Sequence, residues 1–428
     1  MVDSLIKSQL RHPGKFAIAI VLIVALLLSL GVQLQLDSSL ESLIPQDGEF
    51  NTNARLLEQT FEGTDSLQLI YTVDRETVIQ SAITDLEDER VERYLEDLRA
   101  ILEESQYVSR VSTFEISEDG YHGRMTVSVN TPNTLDGDTR VKNEINMLLD
   151  EIGGVPGLDV TLTGLPLLID RISSLLITDN LITIVLTLVF IFVFLLWYFR
   201  SLRFTLAVLF SPMISLITLA ACMVLLDISI TISLAAVGVL VLGLGVDYSI
   251  HIAIHYQDKR LEKKSHRKAL MEVMKEMFVP ITASFLTTLG GFAALLIGVS
   301  PSSKDQGFVL AMAIIIIYAV SYLVFPVLLT LLAQHGKVVE NKTFTKIKKG
   351  LAKLSVYQAH HPKTVLTVFG IITVIMFFGL LQVEFSTSNS NWIPDSDPLS
   401  IASREDQYAF GDADSLLLIL QSNQGDLR

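Results

Sequence analysis

Gly243-Leu-Gly-Val-Asp247-Tyr248-Ser-Ile-His251-Ile-Ala-Ile-His255 is the stretch on which the reading of this chain turns. It sits in thirty residues between Asp227 and Asp258 whose only formal charge is Asp247. A carboxylate at the centre of a bilayer helix costs about 2.5–3.5 kcal/mol on insertion scales, so its default meaning is functional. Gly243, Asp247, His251 and His255 recur every fourth residue and fall on one helical stripe. From Asp247 to His255 that stripe covers about 12 Å. Imidazoles relay protons, and Tyr248 brings a hydroxyl that can bond a carboxyl. Gly238, Gly243 and Gly245 let a neighbouring helix approach closely. A carboxyl that loads a proton from one side and releases it to the other is what couples a proton gradient to conformational change. For His251, a relay and an interfacial side chain reaching the headgroups stand level; for His255, the side chain reaching the headgroups is the simpler reading.

Other chemistries fail on geometry. Asp247, His251 and His255 span too much of one helix to share a metal ion, whose bonds are near 2 Å. Ser249 and His251 lie on roughly opposite faces, and no G-x-S-x-G elbow accompanies them. The Gly-Leu-Gly run opens no dinucleotide fingerprint, and the chain has no P-loop. These absences point away from an enzyme, a metal site and a bound cofactor.

The composition agrees. Of 428 residues, 50% are hydrophobic and 18% charged, against the roughly 25% charged residues of soluble domains. A net charge of −14 disfavours a nucleic-acid partner. The single cysteine, Cys222, allows no disulfide framework and reads as a small packed residue.

About 20 apolar residues span a bilayer as a helix. Seven stretches qualify, at Phe16–Val32, Leu181–Phe199, Phe204–Leu226, Ile228–Tyr256, Val279–Val299, Phe308–Leu332 and Val365–Leu381. The first lacks a small-x-small cleavage site and reads as an uncleaved anchor. Seven Lys/Arg lie in His255–Met277 and seven in Gln334–Lys363, whereas Asp37–Leu175 holds 28 Asp/Glu against 10 Lys/Arg. Short basic loops stay cytoplasmic, which places the acidic segment outside the cell membrane. That segment reads as β-α-β-β-α-β: Asp65–Val73, a helix in Thr77–Glu104, Val108–Ile116, Arg124–Asn130, a helix in Arg140–Ile152, and Leu158–Thr163. This is the order of a ferredoxin-like split unit. The acidic run Asp85–Glu104 reads as a solvated helix face with pairs such as Glu89–Arg93.

The end of the chain repeats its beginning. An offset of 349 aligns His12-Pro13 with His361-Pro362, Ile44-Pro45 with Ile393-Pro394, and Asp65-Ser66-Leu67 with Asp414-Ser415-Leu416, giving 14 identities in 69 positions. Parallel repeats are a transporter signature. The second copy breaks off at Arg428 after an expected strand at Leu416–Leu420, which suggests a fragment of a longer protein, although a naturally short half-transporter fits as well. The expected organisation is a cytoplasmic N-terminus (1–15), a first span (16–36), an extracytoplasmic porter domain (37–175) and a five-helix bundle (176–333). A basic cytoplasmic linker (334–363), a seventh span (364–382) and the start of a second porter domain (383–428) follow.

These residues carry a resemblance. The Gly-Leu-Gly-Val-Asp247-Tyr248 motif resembles the fourth-helix motif of the RND (resistance–nodulation–division) superfamily, in its MMPL-domain, hopanoid-exporter branch. Thr287-Thr288-Leu-Gly290-Gly291-Phe292 resembles that branch's fifth-helix motif, and Thr163-Gly164-Leu-Pro166 the pattern entering its second helix. The resemblance implies a helical membrane bundle with an α+β ferredoxin-like porter domain. It further implies proton-driven export of lipids or other hydrophobic molecules, with Asp247 and Tyr248 as the proton-relaying pair, His251 beside them, and Gly243, Gly245, Gly290 and Gly291 packing near the relay. In the family an equivalent pair from a second repeat faces the first, and single chains and homo-oligomers both occur. The bundle also resembles the sterol-sensing domain, so a lipid-binding or sensing protein is one alternative. A secretion accessory like SecD/SecF is another.

Overall fold

The computed structural model describes residues 2–31, 36–37, 65–73, 83, 85–130, 137–231, 234, 236–334, 342–383 and 393–411. Expectations for 44–45, 61, 74–82 and 414–420 lie outside them.

Seven described helices are long and apolar enough to cross a membrane: Pro13–Gly31, Pro166–Phe199, Leu202–Leu225, Val237–Leu261, Phe278–Ile297, Pro301–Ala333 and Pro362–Leu380. They coincide with the seven apolar stretches and differ at the edges for physical reasons. The second begins far earlier than the hydropathy, because α5 (Leu165–Phe199) runs without a break from the last strand of the α/β lobe into the bundle. The fourth begins later. Ile228-Ser-Ile-Thr alternates like a strand, and β7 (Ile230–Thr231) pairs in parallel with β1 (Leu36–Asp37). Helix α7 (Val237–Leu261) follows.

The remaining helices before α5 are α1 (Val2–Arg11), α2 (Pro13–Gly31), α3 (Glu89–Glu104) and α4 (Gly137–Ile152). After it come α6 (Leu202–Leu225), α8 (His266–Glu276), α9 (Phe278–Ala294) and α10 (Pro301–Leu323), then the short α11 (Phe325–Leu328), α12 (Lys342–His360), α13 (Pro362–Leu380) and α14 (Pro398–Phe410). In the bundle α6 packs on α2, α5, α7 and α10, and α10 packs on α7 and α9. One continuous core runs through it, from Ile6 and Phe204 to Tyr256, Val273 and Phe325.

The last span of the bundle is broken at Pro326, whose ring removes a helix donor. The Val327 N–H turns to the Val324 carbonyl at 3.0 Å, which releases the Leu323 carbonyl. Gln9 of α1 donates its Nε2–H to that carbonyl at 2.8 Å. A carbonyl freed within an apolar span is costly without a donor, so buried Gln9 and buried Ile6 together hold the amphipathic N-terminal helix to the bundle.

The lobe builds the expected β-α-β-β-α-β order. Its main strands are β2 (Asp65–Val73), β3 (Val108–Val111), β5 (His122–Val129) and β6 (Leu158–Thr163), arranged β3-β5-β2-β6 and antiparallel throughout. The run expected at Val108–Ile116 is split, its second piece, β4 (Glu115–Ile116), pairing separately with β5. Gly123, Met125, Val127 and Val129 alternate into the core, where α3 supplies Val91, Leu95, Leu98 and Leu102. The Arg93–Glu89 pair forms at 3.1 Å with both side chains exposed, a solvated helix face as expected.

The opposite face of the sheet holds a difference from the sequence reading. Residues assigned there to a second porter domain form α14, which packs against β2, β5 and β6 of this lobe. Arg171 Nε donates to Asp397 Oδ2 at 2.7 Å, and that carboxylate is 6% exposed. Arg124 reaches Asp406 at 3.3 Å and lies 4.6 Å from the Phe410 ring centroid. Burial pushes the Asp406 carboxyl up against the opposing pull of Arg124.

Gly164 joins lobe to bundle. Its φ of +139° is open only to glycine, and a Cβ there would fall 2.9 Å from the Ser66 carbonyl oxygen. Gly164→Ala is therefore expected to destabilise the protein by at least about 2 kcal/mol, read as a lowered melting temperature in detergent. At the start of α3, Asp88 accepts from the Arg90 N–H and guanidinium, which holds its carboxyl down to about 2 from the ordinary 3.8. A depressed acid stabilises the fold above its unfolded value and loses that contribution as pH falls through the folded one. Asp88→Asn should flatten the helical circular-dichroism loss between about pH 4 and about pH 2.

Candidate functional site

Helix α7 carries the site. No charge interrupts it before Asp247, and its last turn holds Lys259 and Arg260, which suit a helix C-terminus. Its buried side presents Gly245, Tyr248, Ser249, Ile252 and Tyr256 to the bundle; Gly243, Asp247 and His251 lie on the exposed side. The helical repeat accounts for the split, since residues three and four apart share a face while consecutive ones lie about 100° apart.

The structure brings Asp247 and His251 together. His251 Nε2 lies 3.4 Å from Asp247 Oδ1, and both side chains are more than half exposed on the bundle surface. His255, a further turn along, is half-buried. Tyr248 does not join this pair. It is buried against the bundle, beside Ser284 and Thr288 of α9, and its hydroxyl closes no hydrogen bond with a described residue. The hydroxyls of Thr287 and Thr288 are both committed to the Ser284 carbonyl at 2.9 Å.

The four glycines divide as well. At Gly245 an added Cβ would lie 2.8 Å from Pro212 Cβ and 3.1 Å from its Cα, so α6 and α7 touch nearly backbone to backbone. At Gly243, Gly290 and Gly291 a Cβ would meet nothing within 4 Å. All three are exposed, as Asp247 and His251 are, and none lies in a packed seam.

One polar chain was not visible in the sequence. Tyr256 Oη and His266 Nδ1 are 2.6 Å apart, and His266 Nε2 lies 3.1 Å from Thr330 Oγ1, which donates to the Pro326 carbonyl at 2.8 Å. It ties α7, the start of α8 and the segment after α11 together at the basic side. Its members are separated by 10 and 64 residues, and no motif announces them. Nearby, Lys264 bridges Glu262 (3.2 Å) and Glu272, whose carboxyl that lysine lowers. Among the described residues no group of three or more His, Cys, Asp or Glu could hold a metal ion.

A bundle of apolar helices bearing one acid–imidazole pair, joined through a continuous helix to an α/β lobe, defines a polytopic membrane protein. The chain belongs to the MMPL family, which residues 42–365 match. It is 30% identical over 196 residues to MJ1562 of Methanocaldococcus jannaschii, whose name describes it as a membrane protein, covering 46% of this chain and 50% of that one. It is 30% identical over 121 residues to the hopanoid transporter HpnN of Rhodopseudomonas palustris (28% and 14%). With the hopanoid transporter HpnN of Burkholderia multivorans it shares 27% over 234 residues (54% and 26%). The matches thus span half or less of the length of these relatives.

The contrast between the glycines is testable. Gly245→Ala should lower the melting temperature of the detergent-solubilised protein, by the equivalent of about 1–3 kcal/mol of overpacking. Gly243→Ala, in open space, should leave it within about 0.5 kcal/mol of the parent.

Proposed function

We propose that this chain is part of a secondary transporter that uses the proton-motive force to export lipids or other hydrophobic and amphiphilic molecules. The observation that carries the reading is the Asp247–His251 pair, the one acid–imidazole contact on an otherwise apolar span. Family membership and the hopanoid transporters among the relatives support a hydrophobic substrate.

In this scheme Asp247 carries the proton and His251 passes it along the helix toward the basic side. Protonation of Asp247 removes the charge that holds the imidazole, so the contact at 3.4 Å is made and broken with each proton. Tyr248, one residue on, places a hydroxyl between α7 and α9, beside Ser284 and Thr288, where a rotation of α7 could bring it to the acid. Gly245 lets α6 and α7 slide as a close-packed pair. Gly290 and Gly291 leave room on the open side, which we assign to an equivalent pair from a second repeat of the same protein.

The α/β lobe is then a ferredoxin-like porter domain (37–175) outside the cell's cytoplasmic membrane. The basic segments 1–15 and 334–363 face the cytoplasm, and the five helices of 176–333 form the proton-conducting unit. Continuity of α5 from lobe to bundle offers the mechanical link: a tilt of the bundle turns the lobe without an intervening joint.

The test uses full-length protein in proteoliposomes with an imposed pH gradient and a fluorescent hydrophobic substrate. Asp247→Asn is expected to insert and fold like the parent while gradient-dependent substrate movement falls to background. Movement at the parental rate in that variant would overturn the assignment.

A further inference from the structure

Helix α12 (Lys342–His360) is an amphipathic helix whose apolar side is exposed among the described residues. Ile347, Leu351 and Leu354 are spaced four and three apart, share one face and are 46%, 60% and 51% exposed. Lys349 and Lys353 are exposed on the opposite side. In the sequence Lys342 and Lys346 recur in the same helical phase, and residues 342–363 contain no Asp or Glu.

Both ends of the helix are tied to the ends of membrane spans. Near its start, Phe344 packs edge-on against Tyr198, ring centroids 4.6 Å apart, in the last turn of α5. At its other end a single residue, His361, separates it from α13, the next span. A helix pinned at both ends to span termini is held at the level of the bilayer surface.

We propose that α12 is a lipid-binding surface: its Ile347–Leu351–Leu354 face lies in the headgroup region of the bilayer that the chain crosses, and its lysines select anionic lipid. Charge complementarity and the tethering supply the argument. An apolar face alone gives marginal surface binding, whereas each nearby Lys adds attraction to an anionic leaflet. The inference is independent of the transport reading and of which compartment the basic side faces.

Nitroxide labels test it in the full chain, in a Cys222→Ser background reconstituted in nanodiscs of phosphatidylcholine with or without phosphatidylglycerol. A label at Leu351→Cys should be relaxed more by oxygen, which partitions into lipid, than by a water-soluble nickel chelate. The label at Lys349→Cys should show the reverse order, and phosphatidylglycerol should widen the difference. Lys349→Gln with Lys353→Gln should abolish that lipid dependence while the labelled protein keeps its parental melting temperature. Nickel relaxation at 351 equal to that at 349 would place the helix in water and overturn the proposal. Shielding of 351 from both reagents would overturn it too, because protein, from a second copy or another part of the chain, would then cover the face. Insensitivity to phosphatidylglycerol would remove the anionic selection.

Discussion

Hydrocarbon offers no hydrogen bonds, and the arrangement of this protein follows from that. A backbone polar group freed within the span region is costly unless the protein itself supplies its partner. The Leu323 carbonyl, released at Pro326, is answered by Gln9 from the far end of the sequence. Tyr256, His266 and Thr330 answer one another in a line at the basic side. Asp247 is the instructive case, because its partner His251 stands on its own helix and both remain on the open side of the bundle. A pair so placed stands apart from the packed core behind it.

The lobe solves a different problem. An antiparallel sheet buries one face easily and leaves the other to be covered. Here α3 covers one face, and α14, more than two hundred residues after the last strand, covers the other. The docking is polar as well as apolar: Asp397 caps its own helix at the Leu399 N–H and accepts from Arg171, and Arg124 holds both Asp406 and the Phe410 ring. A buried carboxylate stripped of its arginine would be left as an uncompensated charge, which makes Arg171 a structural residue of the lobe. Sheet, α5 and bundle therefore form one connected body, with Gly164 at the point where chain direction and close approach leave room for no side chain.

Much of this was legible in the residues. Seven apolar runs of bilayer length can do little else than span, and they fall where the helices do. The strands read at Asp65–Val73 and Leu158–Thr163 match residue for residue, whereas the alternating runs Val108–Ile116 and Arg124–Asn130 differ from theirs at the edges. The Ile228-Ser-Ile-Thr run was misread as the start of a span because hydropathy averages ignore phase; its alternation was the available signal. The four-residue spacing of Asp247 and His251 placed them on one face before any coordinates. The same arithmetic shows why Tyr248, adjacent in sequence, does not reach the acid in this state.

The sequence by itself determined the membrane class, the strand order and the acid–imidazole stripe, since all three depend on periodicities of a single segment. Only the tertiary structure decided which glycine is a packing contact, where α14 docks, what Gln9 and His266 bind, and that among the described residues the apolar side of α12 is exposed. Those are relations between segments tens to hundreds of residues apart, settled by shape and by the pairing of buried polar groups, and no local pattern encodes them.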